Sequence, residues 1–166
     1  GFPRPIQLKR LLRDVAALGA CEVHLTGTEL GEKSYMQSTL VERGAAYQML
    51  LDGTVQAAST HVPELFLHSS LKECLESISE NDIKITLDNI RPEGSLEALM
   101  RGVEKLSENQ KVVAAIGSER GWTDKERELL REKGFKICSM GSRVMRTETA
   151  ATVSASIILS KLGFLN

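Results

Sequence analysis

The sequence has few cysteines, few aromatic residues and no excess of charge. Its 166 residues include three cysteines, Cys21, Cys74 and Cys138, which are widely spaced and form no CxxC pair. An odd, scattered set is typical of reduced thiols that pack as small apolar side chains. The 21 basic and 22 acidic residues give a formal net charge of −1. The charge therefore gives no sign of non-specific nucleic-acid binding, although a local basic patch would still permit it.

Long hydrophobic runs and the common catalytic motifs are also missing. No apolar run approaches the roughly 20 residues that span a bilayer, and the first residues lack a signal-peptide stretch. The sequence contains no GxGxxG after a strand, no GxxxxGK[ST] and no GxSxG, so it lacks the usual dinucleotide, P-loop and α/β-hydrolase signatures. His24, His61 and His68 are not spaced like metal ligands with one another or with any cysteine. We therefore expect a cytoplasmic protein with no membrane segment and no metal.

Hydrophobic periodicity predicts helices that alternate with strands in one domain. The predicted strands cover residues 21–28, 64–69, 82–89, 110–118 and 135–141. The predicted helices cover residues 6–19, 39–58, 70–78, 96–106, 123–134 and 147–162, and the polar segment 29–38 is predicted to be a loop. Strands separated by helices imply βαβ units and a mainly parallel sheet. The fold class is therefore α/β, with helices flanking the sheet.

Three glycine-containing loops follow predicted strands, after residues 87, 115 and 139. Ligands of parallel sheets bind beyond the carboxyl ends of the strands. Glycine lets a backbone approach a ligand closely, because no Cβ intervenes. An adenine-bearing ligand that is not held through phosphates would suit these loops.

Two stretches resemble a paired family signature, AAIGSERGWTDKE (residues 114–126) and SMGSRVMRTETAA (residues 139–151). They resemble the signature of the RsmE family, the 16S rRNA uridine-N3 methyltransferases, which belong to the SPOUT, or α/β-knot, superfamily. The matches in the second stretch are Gly141, Arg143, Arg146, Thr147, Glu148, Thr149 and Ala150. A further stretch, VQAASTHVPEL, is similar to another segment of that family, with matches at Gln56 and Pro63.

The resemblance covers essentially the whole chain, residues 1–166, as the catalytic domain of that family. The family's N-terminal PUA-like RNA-binding domain has no counterpart in the chain. Two departures from the family pattern matter for function. Arg120 replaces a glycine, and its side chain would either crowd a ligand or reach towards RNA. Ser59 stands where an arginine is common, which removes a possible substrate contact.

The resemblance implies a trefoil knot near the C-terminus, with S-adenosylmethionine bound in its loops. Backbone groups of these loops would read the adenine edge, and the side chains of Leu87, Ile116, Met140 and Val144 would pack on its faces. The cofactor-binding residues implied in this way are Leu87, Asp88, Ile116, Gly117, Ser118, Glu119, Gly121, Met140, Gly141, Arg143, Val144, Met145, Arg146 and Thr147.

The resemblance also implies methyl transfer to N3 of a uridine, with Arg146 and Glu148 as the catalytic residues. Because N3–H is a weak acid, the reaction needs a base or stabilisation of the developing anion. Arg146 would stabilise that anion or orient the base, and Glu148 would accept a proton or hold Arg146. Another reading has Glu148 as a surface ion pair or as a favourable charge at a helix N-terminus.

The expected partners are 16S rRNA in the 30S subunit and a second copy of the chain, as a homodimer. The candidate RNA-binding residues are Lys33, Tyr35, Gln37, Gln56 and Arg120. Two alternatives stay open: a knotted methyltransferase for another RNA base, and a non-catalytic RNA-binding or dimerisation module that keeps the knot.

Four residues near the loops have a structural interpretation beside the functional one. Thr147 is a good helix N-cap, and Glu126 stands at capping-box spacing from Thr123. Glu119 either fixes its loop or faces RNA. Trp122 either stacks on a base or, as we expect, packs in the core or a dimer interface.

Overall fold

The computed structural model describes residues 1–39 and 44–165. The helices are α1 (Pro5–Ala17), α2 (Lys33–Met36), α3 (Ala45–Gln56), α4 (Leu71–Glu76), α5 (Leu96–Arg101), α6 (Asp124–Glu132) and α7 (Thr147–Lys161). The strands are β1 (Glu22–Thr26), β2 (Glu64–His68), β3 (Ile83–Leu87), β4 (Gly94–Ser95), β5 (Val112–Ile116) and β6 (Lys136–Ser139). Within these ranges, every helix is too short or too polar to span a bilayer.

The strands form parallel pairs, as their alternation with helices predicts. They divide into two sheets: β1 pairs with β2, and the second sheet has the order β4-β6-β3-β5. A side-chain contact links the sheets, because Lys111, just before β5, forms an ion pair with Glu22 at the start of β1. The prediction of a mainly parallel α/β architecture is therefore confirmed, with two hydrogen-bonded sheets in place of one.

The last strand, β6, lies between two strands that are consecutive in the chain, β3 and β4. Cys138 of β6 has Leu87 of β3 on one side and Gly94 of β4 on the other. The backbone N–H of Asp88 donates to Cys138 O at 3.0 Å, and that of Glu93 donates to Ile137 O at 2.8 Å. Residues 88–93 therefore pass from one side of β6 to the other near the end of that strand. Threading of the chain beneath such a crossing would form the predicted knot, which is very rare in proteins.

Helices cover both faces of the second sheet. Alternate residues of β5 point to opposite faces: Val112, Ala114 and Ile116 face one apolar cluster, and Val113 and Ala115 face another. The first cluster is built from Ile85, Leu87, Leu96, Met100, Cys138 and Ile158. The second is built from Leu71, Leu75, Trp122, Leu130 and Phe135. The sheet is thus buried between α5 and α7 on one side and α4 and α6 on the other.

Cys138 packs as an apolar residue in β6. All three cysteines are free, and Cys138 is only 1% exposed. Burial, reinforced by the nearby Glu93 carboxylate, raises the pKa of the Cys138 thiol. The thiol therefore stays protonated near neutral pH, in agreement with the role expected from its spacing in the sequence.

The first helix packs closely against α3 through a glycine. Helix α1 ends before Gly19, whose φ of +82° is the left-handed conformation expected of a helix stop. In α3, a Cβ added to Gly53 would lie 2.3 Å from the carbonyl oxygen of Arg13. Residues 40–43 of the helix predicted over 39–58 lie outside the described residues. Its described part, Ala45–Gln56, continues through Gly53 without the interruption that the glycine suggested.

Three local predictions are wrong in detail. Segment 29–38 is not entirely a loop, because Lys33–Met36 form one helical turn, α2, whose Tyr35 and Met36 pack against the core around α1. Residues Gly94 and Ser95 form a two-residue strand where a loop was expected, because they pair with β6. Helix α5 ends at Arg101 and not near Leu106, since Gly102 caps it.

The capping box predicted for Thr123 and Glu126 is confirmed by its hydrogen bonds. Thr123 and Glu126 form a reciprocal capping box, with Glu126 N donating to Thr123 Oγ1 at 3.2 Å and Thr123 N donating to Glu126 Oε2 at 2.9 Å. Ser70, the first residue of the helix predicted over 70–78, is the N-cap of α4 and accepts a hydrogen bond from the backbone N–H of Glu73. The Glu73 carboxylate accepts a hydrogen bond from Ser69 N.

We predict that Gly53→Ala destabilises the protein. Helix propensity alone would stabilise an alanine by about 1 kcal/mol. The new methyl group would instead meet the backbone of Arg13, and the overpacking should cost about 1–3 kcal/mol net. Urea unfolding measures the difference, with Gly102→Ala as the control because its Cβ would lie 3.5 Å from its nearest neighbour. A Gly53→Ala variant as stable as the wild type would contradict the close helix contact.

Candidate functional site

The three predicted loops meet at one edge of the second sheet. Parallel pairing sets Leu87 of β3 beside Ile116 of β5 and Cys138 of β6. The three strands therefore end at the same level, and the residues that follow them lie next to one another. Leu87, Ile116 and Met140 belong to or pack on the same apolar cluster, so the structure brings together three of the four side chains predicted to pack on adenine. Val144 does not join them, since it is 87% exposed.

The second loop is a closed turn of residues 117–121. The N–H of Gly121 donates to Ser118 O at 2.8 Å, and Gly121 has a φ of +75°. A Cβ on Gly117 would lie 3.0 Å from the carbonyl carbon of Gly121, so a side chain at residue 117 would press on the turn. Arg120 is exposed on this turn, and it therefore points away from the packed backbone and does not crowd the turn.

Trp122 ties the second loop to the first. Its side chain is 3% exposed, and its indole N–H donates to Leu87 O at 3.3 Å. The ring packs in the apolar cluster with Leu130 and Phe135. The packing interpretation of Trp122 is therefore confirmed, and its ring is not available for stacking on a base.

A buried ion pair holds the start of the first loop. Arg127 of α6 donates from Nε to Asp88 Oδ2 at 2.6 Å, and the side chains of Arg127 and Asp88 are 8% and 10% exposed. The other Asp88 oxygen accepts the N–H of Ile90 at 3.0 Å. Arg127 also binds Asp124 at 2.9 Å. The carboxylate of Asp88, predicted to bind the cofactor, is thus engaged in holding its own loop.

Sequence reasoning did not single out Arg127. It lies in a helix of mixed charge, TDKERELLREKG, where one more arginine is unremarkable. The sequence signal for a buried Arg127 was its position three residues before Leu130, because residues at that spacing share one face of a helix. A charge on the apolar face of a helix is seldom buried without a partner.

The third loop, residues 140–146, is mostly exposed. Gly141 has a φ of +102°, and a Cβ there would meet no atom within 4 Å. The Arg143 carbonyl accepts a hydrogen bond from Asn89 Nδ2 at 3.5 Å, which joins this loop to the first. Thr147, at its end, is buried and donates from Oγ1 to Gly117 O at 3.4 Å. Hydrogen bonds therefore connect all three loops in pairs.

The two predicted catalytic residues lie at the start of α7. Arg146, not Thr147, is the N-cap residue, and its side chain makes no capping hydrogen bond. Thr147 is the first helical residue, and its hydroxyl donates to Gly117 O. Glu148 lies in the first turn, where the helix dipole favours a negative charge. Among the described residues, Arg146 and Glu148 form no ion pair with each other.

The polar segment around α2 is attached beside the 117–121 turn. Glu29 N donates to Glu126 Oε1 at 2.8 Å, and Thr123 Oγ1 donates to Glu29 Oε2 at 2.8 Å. Arg4 binds Glu119 of the turn at 3.2 Å, and the Tyr35 hydroxyl followed by the Glu119 carboxylate raises the pKa of Arg4. Glu119 is therefore engaged within the chain, and Tyr35 lies next to the turn.

The remaining candidate RNA-binding residues lie at the surface. Lys33 at the start of α2, Gln37 directly after its end and Gln56 at the end of α3 are all exposed. Ser59, where an arginine was considered, is exposed and accepts the N–H of His61 at 3.2 Å. The serine thus has a local hydrogen-bonding role.

Comparison with known proteins identifies similar chains. A family model described as an RNA methyltransferase domain matches residues 1–159. The chain is 39% identical over 168 residues to ribosomal RNA small subunit methyltransferase E of Treponema pallidum, covering 96% of this chain and 60% of that protein. It is 32% identical over 162 residues to ribosomal RNA small subunit methyltransferase E 1 of Borreliella burgdorferi, covering 98% of this chain and 66% of that protein.

A solved structure has the same fold. It is the ribosomal RNA small subunit methyltransferase E of Neisseria gonorrhoeae bound to S-adenosyl methionine, with a TM-score of 0.82 and 19% identity, covering 96% of this chain and 63% of that one. The described chain thus spans less than two thirds of the length of these three proteins.

We predict that Arg127→Met destabilises the protein by about 3–5 kcal/mol, because it leaves the buried Asp88 carboxylate without its partner. The control is Arg131→Met on the same helix. The Arg131 side chain is 37% exposed, and its loss should cost under about 1 kcal/mol of stability. Urea unfolding measures both. The double variant Arg127→Met/Asp88→Asn should lose less unfolding free energy than the two single variants lose together. Strict additivity of the two losses would refute the pairing.

Proposed function

Because the chain belongs to the RNA methyltransferase domain family, we propose that it transfers a methyl group from S-adenosylmethionine to N3 of a uridine in 16S rRNA of the small ribosomal subunit. The observation that carries this proposal is the meeting of three hydrogen-bonded loops at the carboxyl ends of β3, β5 and β6. The relatives named ribosomal RNA small subunit methyltransferase E support the choice of RNA. A protein that acts on ribosomal subunits works in the cytoplasm, and we propose that location.

The loop backbones fit an adenine-bearing cofactor. A Cβ added to Gly121 or Gly141 would meet no atom within 4 Å, so both loops leave their backbone open to close approach. Leu87, Ile116 and Met140 supply the apolar surface on which a flat ring would pack. The remaining proposed contacts come from Asp88, Gly117, Ser118, Glu119, Arg143, Val144, Met145, Arg146 and Thr147, with Asp88 and Arg146 acting through their backbones. When bound, S-adenosylmethionine supplies an electrophilic methyl group on its sulfonium.

The charged residues at the start of α7 would act on the substrate. Deprotonation of N3 creates an anion, which a nearby guanidinium stabilises. The side chain of Arg146 is exposed and makes no capping bond, so it is available for this role. Glu148 is not paired with Arg146 in the described part of the chain, which favours the role of proton acceptor over that of holding Arg146.

The RNA would approach the exposed side of the three loops. Arg120 is exposed on the 117–121 turn, and Lys33 is exposed at the start of α2. Tyr35 and Gln37 extend the same polar segment, which Glu29 attaches to Thr123 and Glu126 at the start of α6, just after the turn. We propose this surface as the RNA contact, with Gln56 as a further contact from α3. We also propose that the protein acts as a homodimer.

Cofactor binding should depend on the closed 117–121 turn. Titration calorimetry with S-adenosylmethionine should show saturable binding to the wild type. Gly117→Ala forces a Cβ to within 3.0 Å of Gly121, and we expect about tenfold weaker binding or worse, equivalent to about 1.4 kcal/mol. Gly102→Ala is the matched control and should bind normally. No binding by the wild type would instead favour the non-catalytic module.

Methyl transfer should depend on the Arg146 guanidinium. With assembled 30S particles and the full chain, Arg146→Ala should lower kcat by about 10²–10³ and leave S-adenosylmethionine binding nearly unchanged. Arg10→Ala, which removes an exposed arginine of α1, is the control. Mass mapping identifies the modified base, and a product other than N3-methyluridine would favour the alternative of a different target base. Full activity in Arg146→Ala would refute its catalytic role.

A further inference from the structure

Two histidines and a cysteine from three different elements meet in the folded chain. His24 lies in β1, His68 ends β2, and Cys74 lies in α4. Their spacing in the sequence predicts no metal site. Folding nevertheless brings one ligand atom from each to within 4.8 Å of the others. We call His24, His68 and Cys74 the histidine–cysteine cluster.

The two imidazoles face each other through one nitrogen each. His24 Nδ1 and His68 Nε2 are 2.9 Å apart, and the ring planes differ by 6°. The outer nitrogens face carboxylates: His24 Nε2 lies 3.3 Å from Glu22 Oε2, and His68 Nδ1 lies 3.9 Å from Glu73 Oε1. A carboxylate behind each histidine is the usual outer shell of a metal-bound imidazole.

A count of protons shows what this arrangement lacks. Two neutral imidazoles carry two N–H protons for four ring nitrogens. The contact between His24 and His68 uses one proton, so only one remains for two outer nitrogens that both face carboxylates. A cation between the inner nitrogens removes the mismatch, because both protons then lie on the outer nitrogens and point at Glu22 and Glu73.

We propose that the histidine–cysteine cluster binds one Zn²⁺ through His24 Nδ1, His68 Nε2 and Cys74 Sγ, with water as the fourth ligand. Two imidazoles and a thiolate suit tetrahedral Zn²⁺. The thiol loses its proton to solvent when the Cys74 sulfur binds the ion. The ion would join β1, β2 and α4, and it takes no part in the proposed methyl transfer.

The surroundings are ready to orient the ligands. Glu22 is held through its other oxygen by Lys111, and Glu73 accepts hydrogen bonds from Ser69 N at 2.9 Å and Ser69 Oγ at 2.5 Å. His68 and Cys74 are buried, whereas the His24 side chain is 17% exposed and gives an ion access. Tetrahedral Zn²⁺ needs its nitrogens about 3.4 Å apart, so the rings must separate by about half an ångström.

Cobalt(II) tests the site by absorption spectroscopy, because a cobalt–thiolate bond gives a near-ultraviolet charge-transfer band and tetrahedral Co²⁺ gives visible bands. We expect the charge-transfer band and the visible bands to saturate at one equivalent of Co²⁺. Added Zn²⁺ should displace the Co²⁺ and remove the bands. Cys74→Ser should lose the charge-transfer band. Cys21→Ser, which alters an exposed free cysteine, is the matched control and should keep it.

The histidines provide a second set of variants in case Cys74→Ser does not fold. His24→Gln changes a partly exposed ligand and should weaken Co²⁺ binding at least tenfold, whereas His61→Gln, an exposed histidine, should not. Glu22→Gln should weaken binding about 10–100-fold, as expected for an outer-shell carboxylate. Circular dichroism checks that each variant is folded.

Two results would overturn the proposal. One is a folded wild type that gives no charge-transfer band with Co²⁺, as expected if a shared proton alone occupies the histidine pair. The other is a band that survives in folded Cys74→Ser or His24→Gln. Neither measurement uses S-adenosylmethionine or RNA, so the outcome is independent of the proposed methyltransferase activity.

Discussion

The position of β6 between β3 and β4 is the constraint on which the candidate site depends. Because β3 and β4 are consecutive in the chain, the segment that joins them has to cross the end of the strand inserted between them. This crossing sets the first loop against the third, and parallel pairing with β5 adds the second. Three separate parts of the sequence therefore supply one small surface, and none of the loops can move far without disturbing the others.

Charged residues divide into two groups around that surface. The pair of Arg127 and Asp88 is buried, and it fixes the first loop from behind, while Trp122 holds the same loop through Leu87 O. Arg120 and Arg146 are exposed and face outward. Burial decides these roles: a buried charge has to be paired within the protein, whereas an exposed one is free to meet a phosphate or a reacting base.

Local signals in the sequence located most of the elements and the loops of the site. Capping residues such as Thr123 and stops such as Gly19 act within one helical turn, so they are readable from neighbouring residues. The same reasoning missed α2 and β4, because one forms by packing on α1 and the other by pairing with β6. It also placed the N-cap at Thr147, one residue late, because the bond from the Thr147 hydroxyl to Gly117 O is not readable from neighbouring residues.

The sequence by itself determined the order of helices and strands, the parallel sheet and the family resemblance, because periodicity and short motifs depend on neighbouring residues. Only the tertiary structure decided which distant side chains meet. It paired Arg127 with Asp88, exposed Val144, and brought His24 and His68 into contact although 44 residues separate them. Such contacts depend on how strands are ordered in the sheets, and that order is set by packing of the whole chain.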